Sequence, residues 1–245
     1  MVDTVHVIFG ATGGIGSAVC ERLAARGARL VVAARTPQRV REFATAIGAH
    51  PAVLDATCPS HVERCLAEAV ETFGRVDGVV NLVGSLLLKP AHLTTDDEWA
   101  STIAANLTTA FVTVRAAARV MTRTGGAIVL MSSAAARLGL ANHEAIAAAK
   151  AGVIGLARAA AASYAGRGIR VNCVAPGLVR TGLTQRLTAS EASLKASTAL
   201  HALGRIGEPA EIASAIVWLL DPEQSWVTGQ VLGVDGGLAS VRSRG

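Results

Sequence analysis

Short runs of β-branched and other apolar residues alternate with longer segments of helical period along this 245-residue chain. The runs predict strands over Val5–Phe9, Arg29–Ala34, Ala52–Leu54, Val76–Asn81, Ala127–Met131, Arg170–Val174 and Val231–Val234. Between them Gly14–Arg26, Ser60–Phe73, Asp96–Val120 and Pro209–Leu219 read as helices, with Asp96 as an N-cap. Strands that alternate with helices require right-handed crossovers. The pattern therefore predicts an α/β fold, a Rossmann-type doubly wound parallel sheet of about seven strands with helices on both faces. No repeat or linker divides the chain, so residues 1–245 read as one domain. Leu178 to Gly204 is polar and weakly periodic, which suits a lid over a site and equally an ordinary surface excursion.

Composition narrows the classes. Hydrophobic residues make up 51% and charged residues 17%, enough for one large core and far from a disordered chain. Aromatics are only 3%, which suits small side chains packing helices closely on a parallel sheet. The formal charge is +5, but the basic residues are dispersed and no nucleic-acid partner is expected. Of 23 basic residues three are lysines (Lys89, Lys150 and Lys195), so an arginine at a given place says little and a lysine says more. Cys20, Cys58, Cys65 and Cys173 form no CxxC pair, and their spacing fits neither a metal site nor a disulfide framework. The apolar start, Val5 to Phe9, follows Asp3 and runs into glycines, unlike a signal peptide. No uninterrupted apolar run is long enough to span a membrane, so no membrane partner and a cytoplasmic location are expected.

The first strand is followed by Gly10-Ala-Thr-Gly-Gly14-Ile-Gly16 and then at once by a helix. Glycines allow a tight turn and close backbone approach. The helix N-terminus beyond them offers unpaired N–H groups and a partial positive charge to a pyrophosphate. The spacing G-x3-G-x-G resembles that of the short-chain dehydrogenase/reductase family, and later landmarks agree in order. Asp55 ends the third strand, Asn81-Leu-Val-Gly84 ends the fourth, and Asn106 lies inside the next helix. Ser132-Ser133 closes the fifth strand, Lys150 lies on the following helix, Pro176-Gly177 follows the sixth, and Val227 to Gly237 resembles the family's C-terminal signature.

The resemblance implies a nicotinamide dinucleotide held by Gly10, Thr12, Gly13, Gly14, Ile15, Gly16, Arg35, Thr36, Asp55, Ala56, Asn81, Val83, Gly84, Lys150, Pro176, Gly177, Val179 and Thr181. The second strand ends at Ala34, where a carboxylate would bind the ribose hydroxyls of NAD. Its absence removes repulsion toward a 2′-phosphate, and Arg35 offers a cationic fork, so NADP(H) is favoured over NAD(H).

The active site carries an anomaly. Family members that reduce ketones use a tyrosine four residues before the lysine as proton donor, and here that position is Ile146. The resemblance places Asn106, Ser133 and Lys150 in the remaining catalytic roles, while the one tyrosine, Tyr164, lies beyond the lysine. Isoleucine cannot donate a proton, and general-acid assistance is worth about 10²–10⁴-fold. Two readings stay open. Enoyl-thioester reductases of the superfamily carry their tyrosine seven residues before the lysine, and His143 stands there, either as a donor to an enolate oxygen or simply exposed in a loop. Alternatively the chain binds cofactor without turnover, as a structural or regulatory partner of an active relative.

Family resemblance also implies a homodimer or homotetramer, with Val217, Trp218, Leu219 and Trp226 as a candidate apolar seam. Leu183, Leu187, Leu194 and Leu200 in the lid point to a small apolar substrate.

Overall fold

The computed structural model describes residues 1–242, and within them seven strands form one sheet. The strands are β1 (Val5–Phe9), β2 (Arg29–Ala34), β3 (His50–Val53), β4 (Gly78–Asn81), β5 (Gly126–Met131), β6 (Ile169–Pro176) and β7 (Val231–Val234). Their order is β3-β2-β1-β4-β5-β6-β7, and every pairing is parallel. The helices are α1 (Gly14–Ala24), α2 (Pro37–Ile47), α3 (Pro59–Phe73), α4 (Asp96–Ile103), α5 (Thr109–Met121), α6 (Glu144–Tyr164), α7 (Gln185–Thr188), α8 (Glu191–Leu200) and α9 (Pro209–Leu220).

Strand side chains alternate between two cores. Val7 and Phe9 of β1 and Ile128 and Leu130 of β5 pack with α3, α5 and α6. Ile8, Ala127 and Val129 point the other way, toward α1, α2 and α9. Because both faces are covered, the strands read as continuous apolar runs rather than as alternating ones. The predicted doubly wound fold is the one observed.

Several boundaries differ from the sequence reading. The N-cap of α4 is Thr95 rather than Asp96: Thr95 Oγ1 accepts from Glu98 N (3.2 Å) and Glu98 Oε2 accepts from Thr95 N (2.9 Å). Asp96 thus sits in the first turn, where its charge complements the helix dipole. The helix expected over Asp96–Val120 is α4 and α5 joined by one π-helical turn, Ala104–Thr108. Helix α2, which the sequence reading leaves out, carries Val40, Phe43, Ala44 and Ile47 at helical spacing against the second core, with Pro37 at its start and left-handed Gly48 at its end. Strand β3 ends at Val53, which leaves Asp55 in the loop beyond it rather than at the strand end. The segment Glu144–Arg167 is long and apolar enough to cross a membrane by length and composition (mean hydropathy 1.4), but half of it is buried, Lys150 and Arg158 interrupt it, and α6 lies against β6 in the core.

One buried polar group ties stability to pH. His6 of β1 is paired in register with Gly78 of β4, where any side chain would collide with the imidazole. Its Nε2 bonds to Thr4 Oγ1 (2.9 Å), while Nδ1 is buried without a partner. Burial pushes the imidazole from 6.5 down to about 4, against the opposing pull of Asp77. The unfolded chain therefore takes up a proton that the native state refuses. Stability is complete above pH 6.5 and falls as pH drops toward 4, by up to about 3 kcal/mol. Urea denaturation between pH 7 and pH 4 should show this loss in the wild type and a flatter profile in His6→Leu. An identical profile in the variant would assign the acid sensitivity to other groups.

Candidate active site

The chain leaves β1 toward β2 and leaves β4 toward β5, in opposite directions, so the C-terminal ends of β1 and β4 part and open a crevice between them. A cavity of about 940 Å³ occupies that position. On one side, β1 runs into Gly10, whose φ of +82° favours glycine, and Gly13 N donates to Gly10 O (3.1 Å) to close the turn. A side chain at Gly16 would strike the Gly10 carbonyl oxygen, so the absence of a Cβ is what lets α1 start this close to the turn. Gly13 caps α1 without a side chain and no acid occupies the first turn, which leaves the helix N-terminus open to an anion.

The cavity gathers nearly every residue expected to hold a cofactor. Gly10, Thr12, Gly13, Gly14, Ile15, Gly16, Arg35, Thr36, Asp55, Ala56, Val83, Gly84, Lys150, Pro176, Gly177, Val179 and Thr181 all line it. Asn81 is the exception. It is buried, with Oδ1 accepting from Val83 N (2.9 Å) and Nδ2 donating to Thr113 Oγ1 (3.2 Å), so it shapes the Leu82–Gly84 loop instead of reaching the cavity. Asp55 accepts from Thr57 N (2.9 Å) and Thr57 Oγ1 (2.8 Å), and these bonds, with Arg35 and His61 nearby, hold its carboxyl below the usual range. Arg39, on the first turn of α2, was not anticipated because α2 was not read from the sequence. Its Nη2 donates to Thr12 O (3.4 Å), which brings a second guanidinium beside Arg35 at the rim.

The candidate catalytic residues line the same cavity. Asn106 lies in the π-helical turn, where its Nδ2 donates to Thr102 O (2.9 Å) and Ser85 Oγ (3.0 Å) and its Oδ1 accepts from Ser85 N (3.3 Å). Its amide is thus engaged by the protein and fixes the loop after β4. Ser132 Oγ donates to Lys150 O (3.0 Å) and ties the end of β5 to α6. Ser133 Oγ accepts from Ala135 N (3.2 Å), which leaves its own proton free to point at a ligand. Lys150 Nζ donates to Met131 O (2.9 Å), and burial pushes its ammonium down to about 8. Ile146 is buried one turn before it, with its face on the cavity.

His143 caps the start of α6 and is only half-buried, yet it borders the cavity. Its Nδ1 lies 2.7 Å from Ala141 O. A carbonyl oxygen can only accept, so the proton sits on Nδ1, and the neutral ring offers Nε2 as an acceptor. Donation from Nε2 requires the imidazolium. Tyr164 sits at the far end of α6, packed against the core, and does not reach the cavity.

The segment 178–204 contains α7 and α8 rather than irregular chain. Leu183, Leu187 and Leu200 border the cavity, whereas Leu194 lines a smaller cleft with Arg180 and Arg205. Leu86, Leu88 and Leu140 also line the cavity and were missed, since the loops that carry them show no period. His201 was missed too: buried, it pairs Nδ1 with Ser197 O (2.8 Å) and accepts from Leu178 N at Nε2 (3.1 Å), which clasps the two ends of the segment.

Comparison with known proteins gives the family. Residues 10–239 match the family model described as Enoyl-(Acyl carrier protein) reductase. The chain is 35% identical over 241 residues to the 3-oxoacyl-[acyl-carrier-protein] reductase FabG of Vibrio cholerae, covering 96% of each chain. It is 37% identical over 246 residues to the short-chain reductase protein NovJ of Streptomyces niveus, covering 96% of this chain and 94% of that one. Among solved structures, an actinorhodin polyketide ketoreductase variant with NADPH superposes with a TM-score of 0.92 at 28% identity, covering 98% of this chain and all of the other. A short-chain type dehydrogenase/reductase from Mycobacterium ulcerans gives a TM-score of 0.93 at 29% identity, with coverage of 99% and 92%. A glycine turn of the family's spacing at the parting of β1 and β4, a match over most of the length and relatives above 30% identity lead to one conclusion: the chain belongs to the short-chain dehydrogenase/reductase family of oxidoreductases.

Proposed function

We propose that the protein is an NADP(H)-dependent reductase with an atypical active site that acts on a small apolar substrate, at a C=C conjugated to a carbonyl or at an activated C=O. The observation that carries this reading is that Ser133, His143 and Lys150 share one leucine-rich cavity with the glycine turn. The bare helix N-terminus fits a pyrophosphate, and the absence of a carboxylate at Ala34 beside Arg35 and Arg39 fits a 2′-phosphate. The names of the FabG relatives and the NADPH-bound ketoreductase support the same direction.

A bound nicotinamide supplies hydride in such a site. The protein's own part is to hold the substrate oxygen and place a proton. Ser133 has a free hydroxyl proton for that oxygen, Lys150 provides positive charge beneath it, and His143 donates in its imidazolium form. Ile146 contributes shape alone. Ordinary ketones, which need a phenol at that place, should therefore react slowly, while an enolate oxygen needs only donors and a cation.

A second reading is favoured by Ile146 itself: a cofactor-binding structural or regulatory partner of an active relative, and under either reading the chain assembles as a homodimer or homotetramer. Trp99 on α4 and Phe111 on α5 are about half exposed, which suits an interface. The C-terminal seam is smaller than the sequence implied, because Val217 and Leu219 are turned into the core and only Trp218 and Trp226 are exposed.

Calorimetry should show NADPH binding more tightly than NADH, and Arg35→Ala should weaken NADPH selectively. Equal affinities would sink the NADP(H) assignment.

Ile146→Tyr should raise ketone reductase activity by about 10²-fold or more, because the new phenol would lie one turn before Lys150 with about 940 Å³ of cavity ahead of it. The assay is NADPH oxidation with a panel of ketones and enoyl thioesters, with folding checked by thermal melts. The wild type should prefer the thioesters and lose that activity in His143→Ala. A folded, NADPH-binding Ile146→Tyr variant with no gain, together with an inert wild type, would move the conclusion to the non-catalytic reading.

A further inference from the structure

We infer that Lys150 is a reversible covalent capture site for small apolar aldehydes, with Nζ adding to the carbonyl carbon to form an imine when no dinucleotide covers it. Three features of its surroundings converge on this.

The first is that the amine is under-partnered. Nζ makes one hydrogen bond, to Met131 O, and among the described residues none of the ion pairs includes it, whereas Lys89 is held by Glu98 at 2.8 Å. A carbonyl oxygen accepts from an ammonium but supplies no counter-charge. The ionisable side chain whose charge bears on Lys150 is Cys173 of β6, and burial keeps that thiol neutral up to about 12. The ammonium is correspondingly pushed down to about 8, so about a tenth of the amine is free base at pH 7. Desolvation of this kind is how proteins turn lysine into a nucleophile.

The second is access. Lys150 is only 7% exposed, yet it lines the cavity. A Cβ at Gly84 would come 3.5 Å from Nζ and 2.7 Å from Asn106 Oδ1, so the glycine leaves room for both side chains beside the cavity. One turn earlier on α6, Ile146 brings no hydroxyl to occupy the amine.

The third is a fitting pocket. Leu86, Leu88, Leu140, Leu183, Leu187 and Ile146 line the space for an apolar tail. Ser133, whose hydroxyl proton has no acceptor among the described residues, lines it as well and can hydrogen-bond the aldehyde oxygen. The step balances without a redox partner. The lone pair of neutral Nζ forms the N–C bond while the C=O π pair moves onto oxygen, which takes a proton to give a carbinolamine. Loss of that hydroxyl with the remaining N–H proton releases water and leaves the C=N bond. Water exclusion by the leucines favours the imine side. The choice of residue is consistent, since a chain with 20 arginines and three lysines places at this buried position the side chain that can lose its proton.

The test needs neither hydride transfer nor a known substrate. Cofactor-free, full-length protein is incubated with hexanal and sodium cyanoborohydride, which reduces any imine to a stable hexyl amine, and the products are mapped by peptide mass spectrometry. The expected result is one hexyl group at Lys150, formed at least tenfold faster than at exposed Lys195, with a rate that rises with pH to a plateau above about 8. Glyoxylate should label Lys150 at least tenfold more slowly than hexanal, and Lys150→Arg should lose the adduct while keeping its melting temperature. Labelling confined to Lys89, Lys195 and the N-terminus, or labelling of Lys150 no faster than of Lys195, would overturn the proposal. Equal labelling by glyoxylate would overturn its apolar class. Because the wild-type map alone decides between these outcomes, the conclusion does not depend on the variant folding.

Discussion

The close parallel seating of β1 against β4 governs the rest of the molecule. Phe9 pairs with Asn81, and the next residues of the two strands are so near that a Cβ at Gly10 would come within 3.0 Å of the Leu82 carbonyl carbon. From that contact the chain can only diverge. One branch turns through the glycines into α1 and presents a bare helix terminus. The other passes Gly84 and Ser85 to the amide of Asn106 and, across it, to Lys150. The glycine-turn half and the lysine half of the cavity therefore both start from a single backbone contact.

Much of this was legible because the sheet is buried on both faces, which writes its strands as unbroken apolar runs. β1, β2 and β7 were read to the residue. The glycine turn was legible for a related reason, since glycine at Gly10 and Gly16 answers to a backbone requirement that no other residue meets. What escaped were features set by hydrogen bonds between residues distant in sequence. The π-helical turn at Ala104–Thr108 has ordinary helical composition, and Ser85, the partner of its Asn106, lies 21 positions away. Arg39 and Asn81 show the same limit from opposite sides: one reaches the cavity from the polar face of α2 through Thr12 O, 27 positions away, and the other is turned inward by Val83 and Thr113.

Ile146 changes the chemistry more than the architecture. Its neighbours keep their positions through contacts that never involved residue 146: Ser133 through Ala135 N, Lys150 through Met131 O, and the start of α6 through Ser132. The polar groups of the cavity are each fixed by the backbone beneath them and not by the side chain at 146.

The clasp at His201 bears on how the cavity opens. The segment over the cavity leaves β6 through Leu178 and returns at His201, an excursion of 23 positions closed by one imidazole that uses one nitrogen as donor and the other as acceptor. At its base, Val179 bridges Gly207, with Arg180 N donating to Gly207 O and Gly207 N donating to Leu178 O. In polymer terms it is a ring fastened at its base by the imidazole and the bridge together, so the entropy of closing it has already been spent. Rearrangement of α7 and α8 can then admit a ligand while the sheet, the glycine turn and the lysine beneath stay in register.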